Sequence, residues 1–426
     1  MRRLLAIGLI WVCCAVAWAV LGGTLAWRSS ESGGSLLAEV RALWGPPLRQ
    51  LPPSAKGIER HHELRREAKF DEERKQTVVV EKDVEVASQR PLPLESSDVA
   101  VRLGLEHRRK GLLWFPTYAV ELRGRYTFRN DGPEPRTLEV TFPLEQGAVV
   151  YDGFAVNGPD GAPVPLAFES GRVRFQRSLA AGAAYAFDVA YRARGTSRWG
   201  YGAEGTGLGP EPGRARRFRL EVETNFPNVD FPAGSLSPTS QERGAGVWRG
   251  TWSFDQIVGT SPVAIELPQR LNPGPLAARI TFFAPVALLF FVFVNAMLLA
   301  ARRRSIHPVN YFLLACGFFA FHLLFAYLID HLEVGPSFAI ASAVSVGLVV
   351  SYARLFVGTR TAVLQLGASQ LVYLVLFSFT FFWQGFTGLA ISVGAVGTLF
   401  LVMQLTGRLD WGRVLAGAPD APRGAA

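Results

Sequence analysis

Five hydrophobic segments follow one another closely in the C-terminal third of the chain, and they constrain the fold more than any other feature. They cover about residues 280–301, 311–329, 338–357, 362–383 and 386–406. Each is close to the roughly 20 apolar residues that an α-helix needs to cross the hydrocarbon core of a bilayer. The pattern therefore predicts five membrane-spanning helices in an integral membrane protein.

The basic residues around these segments gather in alternate connections. They are Arg302, Arg303 and Arg304 after the first segment, Arg354 and Arg360 around the end of the third, and Arg408, Arg413 and Arg423 in the tail. The two other loops, Asp330–Ser337 and Trp383–Gly385, contain no Lys or Arg. Because Lys and Arg are enriched in cytoplasmic loops, the pattern predicts a cytoplasmic C-terminus.

A sixth hydrophobic segment, Leu4–Trp27, lies at the N-terminus behind Arg2 and Arg3. Its length favours a retained anchor, since a signal peptide has an apolar core of about 7–15 residues. Cleavage after the small residues near Ala17 is the alternative. With Arg2 and Arg3 inside, the N-terminus is cytoplasmic and residues 28–279 lie outside. An even number of spans agrees with the charge pattern of the C-terminal loops.

The excess of positive charge belongs to the membrane part of the chain. Of the net charge of +9, six charges fall outside residues 28–279. They act as topology signals and favour anionic lipid headgroups, so the lipid bilayer is the expected partner and nucleic acid is not. The three cysteines, Cys13, Cys14 and Cys316, all lie in predicted spans, and the external part needs no disulfide to bury a core.

The external part divides into a charged segment and a β-rich segment. Residues 36–44 indicate a short helix that ends at Gly45, and the alternating charges of residues 56–75 suit a solvated helix or a mobile connector. From about residue 96 the apolar residues recur at every second position, as in Val99, Val101 and Leu103. Eight or more such short segments, separated by turn signals, predict an antiparallel sandwich.

The predicted architecture is thus six transmembrane α-helices, one N-terminal and five C-terminal, with a large periplasmic all-β domain of antiparallel, sandwich-like type. The expected divisions are an anchor over 1–27, a charged membrane-proximal linker with short helices over 28–95, the β-rich domain over 96–274, a five-helix bundle over 275–410 and a cytoplasmic tail over 411–426.

Several short motifs stand in or beside the predicted spans and in the external part. They are Arg303-Arg304 with His307-Pro308 and Tyr311, Asp330-His331-Leu332, Ser351-Tyr352, Asp410-Trp411, the element from Gly111 through Pro116 to Tyr118, Leu43-Trp44-Gly45-Pro46, and Asn272-Pro273-Gly274. Together these motifs resemble the CreD family of bacterial inner-membrane proteins. The resemblance is most specific over about 270–411 and weak over 50–95. It implies a multi-pass protein of the bacterial inner membrane with a role in cell envelope integrity and in tolerance to agents such as colicins. It assigns no active site.

Ionisable residues inside a bilayer are costly, and each is a candidate for function. His322 lies near the middle of its span, and Asp330 follows eight residues later on the same helix. The two residues would line one aqueous path, or His322 would be a neutral imidazole bonded across helices to Gln365, Gln370 or a backbone carbonyl. Asp330 and His331 lie at the outer boundary, and Arg354 lies near the inner one, where its long side chain reaches the headgroups.

The sequence contains no convincing catalytic, cofactor-binding or metal-binding motif. Gly200-x-Gly202-x-x-Gly205 matches the Gly-x-Gly-x-x-Gly spacing of a dinucleotide-binding loop but lacks the strand–turn–helix context. We therefore expect no catalytic residue, cofactor or metal, and a non-enzymatic protein that binds envelope proteins or other membrane partners through its β-domain. Two alternatives remain open: a transporter or proton conduit that uses His322 and Asp330, and a membrane-embedded enzyme with Asp330 and His331 as acid and base.

Overall fold

The structure is a computed structural model that describes residues 2–71, 76–203, 207–210, 214–302, 306–383 and 385–407. The predicted topology signals at Arg303, Arg304, Arg408, Arg413 and Arg423, the motif Asp410-Trp411, Gly205 and the tail over 411–426 lie outside these residues. The chain forms two compact units. We call residues 1–35 with 271–426 the membrane unit and residues 36–270 the sheet unit.

Six helices in the structure are long and apolar enough to cross a membrane, one N-terminal and five C-terminal, as predicted. Their bounds are α1 Arg2–Trp44, α2 Pro273–Ala301, α3 Pro308–Leu328, α4 Val334–Val357, α5 Thr359–Phe382 and α6 Thr387–Thr406. Proline occupies the first turn of α2 and α3, where its missing N–H costs no hydrogen bond. Buried apolar side chains from these helices form a continuous core.

Helix α1 continues beyond the predicted anchor, so residues 36–44 are not a separate short helix. The hydroxyls of Ser30 and Ser35 donate hydrogen bonds to backbone carbonyls three residues earlier, and no proline interrupts residues 28–44. The helix stops at Gly45, whose φ of +91° suits glycine. The predicted end at Gly45 is therefore confirmed.

Helix α5 is wound more widely than a regular α-helix over half of its length. Ala362–Gly367 and Leu371–Leu376 are π-helical, with short α-helical pieces before, between and after them. The N–H of Ala368 donates to the carbonyl of Val363, five residues earlier. Such turns are rare and occur often at functional sites.

The sheet unit contains fifteen strands among the residues that the structure describes. They are β1 Leu48–Gln50, β2 Ser54–Asp71, β3 Gln76–Leu92, β4 Leu94–Lys110, β5 Leu113–Arg129, β6 Arg136–Pro143, β7 Asp152–Asn157, β8 Ala167–Glu169, β9 Arg172–Leu179, β10 Ala184–Thr196, β11 Arg198–Tyr201, β12 Arg214–Thr224, β13 Ser240–Arg243, β14 Trp248–Val258 and β15 Val263–Glu266.

These strands form three sheets that share one core. The orders are β13-β14-β12-β4-β5-β10-β7, β3-β2-β6-β9-β8 and β1-β11-β15. Inward-facing side chains of the two larger sheets meet, with Tyr126 against Phe142 and Phe175 against Phe187 at ring-centre distances of 6.2 and 5.1 Å. This packing agrees with the predicted sandwich-like, sheet-rich domain.

The sheets are mixed rather than purely antiparallel. Strand β12 runs parallel to β4, and β1 runs parallel to β11. A period of two in the sequence identifies a half-buried strand but carries no information on its neighbours or their direction. The parallel pairs join segments far apart in the chain, which is why the sequence pattern missed them.

The charged segment over 56–75 was predicted as a solvated helix or a mobile connector. Its described residues, 56–71, instead form one strand of a long β-hairpin, and residues 72–75 lie outside the described residues. Strands β2 and β3 pair along their whole length, from Ala55 opposite Leu92 to Asp71 opposite Gln76. The second strand is rich in valine, which favours strands, and opposite charges face each other across the pair. The helical prediction was wrong because it considered the charges of one strand without their partners.

Candidate functional site

His322 is fully buried against α1. Its Nδ1 lies 3.2 Å from the carbonyl oxygen of Phe318, one turn earlier on α3, so Nδ1–H donates to that oxygen. The ring stands edge-on to Trp18, with ring centres 5.6 Å apart. Nε2 of His322 and Nε1 of Trp18 are buried and have no hydrogen-bond partner among the described residues. This bond lies within α3, whereas the sequence predicted a bond from His322 to another helix.

Asp330 forms an ion pair with Arg28 of α1. The guanidinium of Arg28 donates to Oδ2 of Asp330 at 2.8 Å and lies 5.7 Å from the ring centre of Tyr327. Both charged side chains are about half exposed. His322 and Asp330 thus both contact α1, and the side chains of Leu25 and Ala326 between these two contacts are buried and apolar.

Of the other two predicted residues, His331 directly follows Asp330 and Arg354 lies on α4. His331 is exposed in the turn after α3, where its backbone N–H donates to the carbonyl of Leu328. Arg354 is exposed in the last turn of α4. The structure therefore brings His322 and Asp330 against one helix but does not gather the four candidate residues into one site. Among the described residues, no group of three or more His, Cys, Asp or Glu side chains is placed to hold a metal ion.

A network of neutral polar side chains crosses the interior of the membrane unit. Nε2 of Gln370 on α5 donates to Oγ of Ser345 on α4 at 2.8 Å, and Oγ of Ser345 donates to the carbonyl of Gly317 on α3 at 2.7 Å. Ser345 and Gln370 are completely buried. Each of these three residues lies near the middle of its helix, so the chain of hydrogen bonds joins three helices at their centres.

A second part of the network joins α5 to α2. Oδ1 of Asn295 accepts from Nε2 of Gln365 at 3.4 Å and from Oγ of Ser369 at 3.5 Å. The amide oxygens of Gln365 and Gln370 are buried without a donor among the described residues. The sequence considered both glutamines as partners of His322, but the structure pairs them with Asn295 and Ser345. Polar residues inside a hydrophobic span were the available signal for this network.

Tyr118, the last residue of the Gly111–Tyr118 element, links strand β5 to β1 and β11 by hydrogen bonds. Its hydroxyl accepts from the backbone N–H of Leu48 at 3.0 Å and donates to the carbonyl of Arg198 at 2.7 Å. The side chain is completely buried, and burial raises the pKa of Tyr118 above its usual value. Gly111 forms the preceding turn with a φ of +59°. The element therefore has a structural function in this unit.

The β2–β3 hairpin extends beyond the sheet as a two-stranded ribbon. Strand β6 pairs with β2 only over Ser54–Ile58, so the following 13 residues of β2, roughly 40 Å of strand, have β3 as their one strand neighbour among the described residues. The side chains from Arg60 to Ala68 are all exposed. Cross-strand ion pairs line one face of the ribbon: Arg60–Glu85 at 3.6 Å, His62–Asp83 at 3.1 Å and Arg66–Glu81 at 2.9 Å.

The solvent-exposed face of the seven-stranded sheet carries acidic and basic residues in alternation. One row, read across the strands from β13 to β7 by their register, is Glu242, Arg249, Glu223, Arg102, Glu121, Arg192 and Asp152. Arg249 pairs with Glu223 at 2.7 Å, and Arg192 pairs with Asp152 at 2.8 Å. Opposite charges across neighbouring strands stabilise a sheet, and they leave this face nearly neutral.

Comparison with known proteins bears on the membrane unit. Residues 259–412 match the family model described as "Inner membrane protein CreD". The comparison with curated proteins gives no match. One similar solved structure is a "putative nutrient binding protein" from Legionella pneumophila subsp. pneumophila str. Philadelphia 1, with 11% identity and a TM-score of 0.30, covering 52% of this chain and 80% of that chain.

Another similar structure is the M1 zinc metallopeptidase from Deinococcus radiodurans, with 14% identity and a TM-score of 0.26, covering 79% of this chain and 97% of that chain. At these TM-scores neither structure supports an argument about this protein. The family match covers five of the six spans and agrees with the resemblance seen in the motifs between Asn272 and Trp411. Residues 259–412 of the chain are therefore similar to the CreD family of inner membrane proteins.

Proposed function

We propose that this protein contributes to the integrity of the bacterial cell envelope without catalysing a reaction, and that its sheet unit binds envelope partners in the periplasm. The family match and the six membrane-spanning helices support a multi-pass protein of the inner membrane. A non-enzymatic role is favoured because His322, Asp330, His331 and Arg354 do not converge on one site.

The proposed orientation has both termini in the cytoplasm. It rests on the arginines in the connection after α2 and around the end of α4, and on the lack of Lys and Arg in the loops after α3 and α5. A phosphatase reporter fused after Val150 should be active only outside the cytoplasm. A cysteine at Arg302 should resist an impermeant thiol reagent added from outside. An inactive phosphatase after Val150, or labelling of the cysteine at position 302 from outside, would remove the basis for a periplasmic partner.

The observation that carries the binding function is the two-stranded ribbon of β2 and β3. An isolated two-stranded hairpin is at best marginally stable in water, and this one buries little of its own surface. It presents backbone edges, ion pairs and exposed apolar side chains such as Leu64, which is 66% exposed. Free strand edges are the surface to which extended segments of other proteins add.

A truncation tests this function directly. Residues 60–87 would be replaced by Asn-Gly, which forms a two-residue hairpin turn between Glu59 and Ser88, a directly opposed pair. The pairing of β2 with β6 lies outside the deleted part, so the sheet unit should still fold. In a strain that lacks the protein, the full chain should restore tolerance to envelope-active agents, and the truncated chain should not. Equal restoration by both chains, present at equal levels in the membrane, would contradict the proposal.

In-cell photocrosslinking gives an independent test with a matched control. A crosslinking residue at Leu64 on the ribbon should capture an envelope protein. The same residue at Phe168 should not, although Phe168 is equally exposed, at 64%, on β8 at the other edge of the same sheet. Capture at both positions or at neither would argue against the ribbon as the binding element.

A further inference from the structure

The turn between β4 and β5 lies beside both ends of the sheet unit's chain. At the first end, Glu39 forms an ion pair with Lys110, and a Cβ placed on Gly111 would lie 3.7 Å from Cδ1 of Leu36. At the second end, Nε2 of His107 lies 2.9 Å from the carbonyl oxygen of Pro268. The chain thus enters and leaves the sheet unit at the same region, beside the β4–β5 turn.

This region is tied covalently to the start of a membrane span. The guanidinium of Arg270 lies 4.5 Å from the ring centre of Trp114, and Pro273, three residues later, is the first residue of α2. Three residues of chain reach at most about 10 Å. Only residues 271 and 272 thus separate the turn's partner Arg270 from the first residue of α2 along the chain.

The surface around the turn is basic. We call residues 36–44, 106–114, Arg194 and Arg270 the turn surface. It contains six basic and two acidic residues. Both acids are already paired, Glu106 with Arg108 at 2.6 Å and Glu39 with Lys110. The turn surface therefore has an excess of four positive charges.

Tryptophans accompany these arginines. The guanidinium groups of Arg108 and Arg194 lie 4.1 and 4.8 Å from the ring centre of Trp44. Stacking on an aromatic ring uses the face of a guanidinium and leaves the N–H groups at its edge able to donate to phosphate oxygens. One of these groups in Arg108 already donates to Glu106, so Arg194 is the stacked arginine that offers paired donors. Trp is enriched at the level of lipid headgroups, and the neighbouring Leu43 is 72% exposed.

We propose that the turn surface binds the headgroups of anionic phospholipids in the bilayer that α2 enters. Its positive charge attracts the phosphates, its stacked Arg194 offers paired donors, and its tryptophans and Leu43 are residue types found at membrane interfaces. A bilayer fits these features better than a protein partner, because only two residues of chain separate Arg270 from the first residue of a membrane-spanning helix.

The test uses the full chain in nanodiscs that contain equal amounts of phosphatidylglycerol and phosphatidylcholine. A photocrosslinking residue at Leu112, in the turn itself, would capture neighbouring lipids, and mass spectrometry would count the two kinds of adduct. We expect adducts with phosphatidylglycerol to exceed those with phosphatidylcholine by about fivefold for each basic residue engaged. The preference should decrease with added sodium chloride.

A charge-reversed variant and a matched control make the result specific. Arg109→Glu with Arg270→Glu should abolish the preference. Arg172→Glu with Arg177→Glu should keep it, because these two exposed residues of β9 undergo the same change of charge outside the turn surface. If Arg270→Glu impairs folding, Arg109→Gln with Arg270→Gln should still reduce the preference.

Three outcomes would overturn the proposal. The first is equal capture of the two lipids, or of neither, by the unmodified chain. The second is an equal loss of preference in the control variant. The third is loss of the preference on addition of inorganic phosphate but not of chloride at the same ionic strength, which would indicate a site for free anions.

Discussion

Arg28 of α1 and Asp330, which follows α3, are 302 positions apart in the sequence and form an ion pair at 2.8 Å. It is one of a series of contacts along the two helices, which includes Trp18 against Phe319 and His322 and Leu25 against Ala326. The carboxylate that the sequence marked as a candidate for chemistry thus has a structural partner.

A double-mutant cycle on Arg28→Ala and Asp330→Asn should give a coupling energy of about 0.5 kcal/mol, since both side chains are about half exposed to solvent. Thermal unfolding in detergent would measure it. Asp330→Asn should also keep its function in the complementation assay. Loss of function in a well-folded Asp330→Asn protein would favour the conduit or enzyme hypotheses instead.

Ser345→Ala should destabilise the membrane unit by about 1 kcal/mol, because the amide of Gln370 then loses its acceptor inside the bundle. Gln370→Met should cost less, since the oxygen that it removes has no donor among the described residues. Ser351→Ala is the control, because Ser351 is exposed and bonds only to its own helix. Unfolding in detergent should rank the three variants in this order, and an equal effect of Ser351→Ala would refute the role of the network.

Tyr118→Phe should destabilise the sheet unit by about 1–3 kcal/mol, because it leaves the buried N–H of Leu48 and the carbonyl of Arg198 without their partner. Burial raises the pKa of Tyr118 in the folded state. The folded protein therefore retains a proton that the unfolded chain releases above about pH 10. Stability should fall as the pH rises past that value, and denaturant unfolding should show a weaker fall in Tyr118→Phe.

Acid should destabilise the sheet unit through Glu95. Hydrogen bonds from Arg129 at 2.9 and 3.0 Å, assisted by Arg217, lower the pKa of this carboxyl group. The stabilisation is therefore complete above the usual pKa of glutamate, near 4.3, and is lost as the pH falls through the lower, folded-state value. Glu95→Gln should cost about 1 kcal/mol at pH 7. It should also make unfolding less dependent on pH below the usual pKa of glutamate, and an unchanged pH profile would contradict this assignment.

The sequence predicted the six spans and the sheet-rich character because both depend on local patterns. The length of an apolar run determines whether a helix can cross a bilayer, and an apolar residue at every second position identifies a half-buried strand. The strands of the β2–β3 ribbon were not predicted, because neither face of the ribbon is buried. Its charges are explained only by the opposite strand, as for Arg66 and Glu81.

The polar network of the membrane unit was only partly predictable. The sequence showed Gln365 and Gln370 inside a span and suggested interhelical hydrogen bonds, but their partners depend on how α5 is wound. In a regular α-helix, residues five positions apart point about 140° away from each other. In a π-helical turn, residues five apart are joined by a hydrogen bond and lie on nearly the same side. Nothing in the hydrophobic pattern distinguishes these two windings.

The winding of α5 also affects how the thickness of the surrounding bilayer is judged. As a regular α-helix, the 24 residues from Thr359 to Phe382 would be about 36 Å long. A π-helical turn contains more residues for each ångström along the helix axis than an α-helical turn. Helix α5 is therefore shorter than a regular α-helix with the same number of residues. The hydrocarbon thickness that this helix matches is accordingly smaller than a count of its apolar residues would indicate.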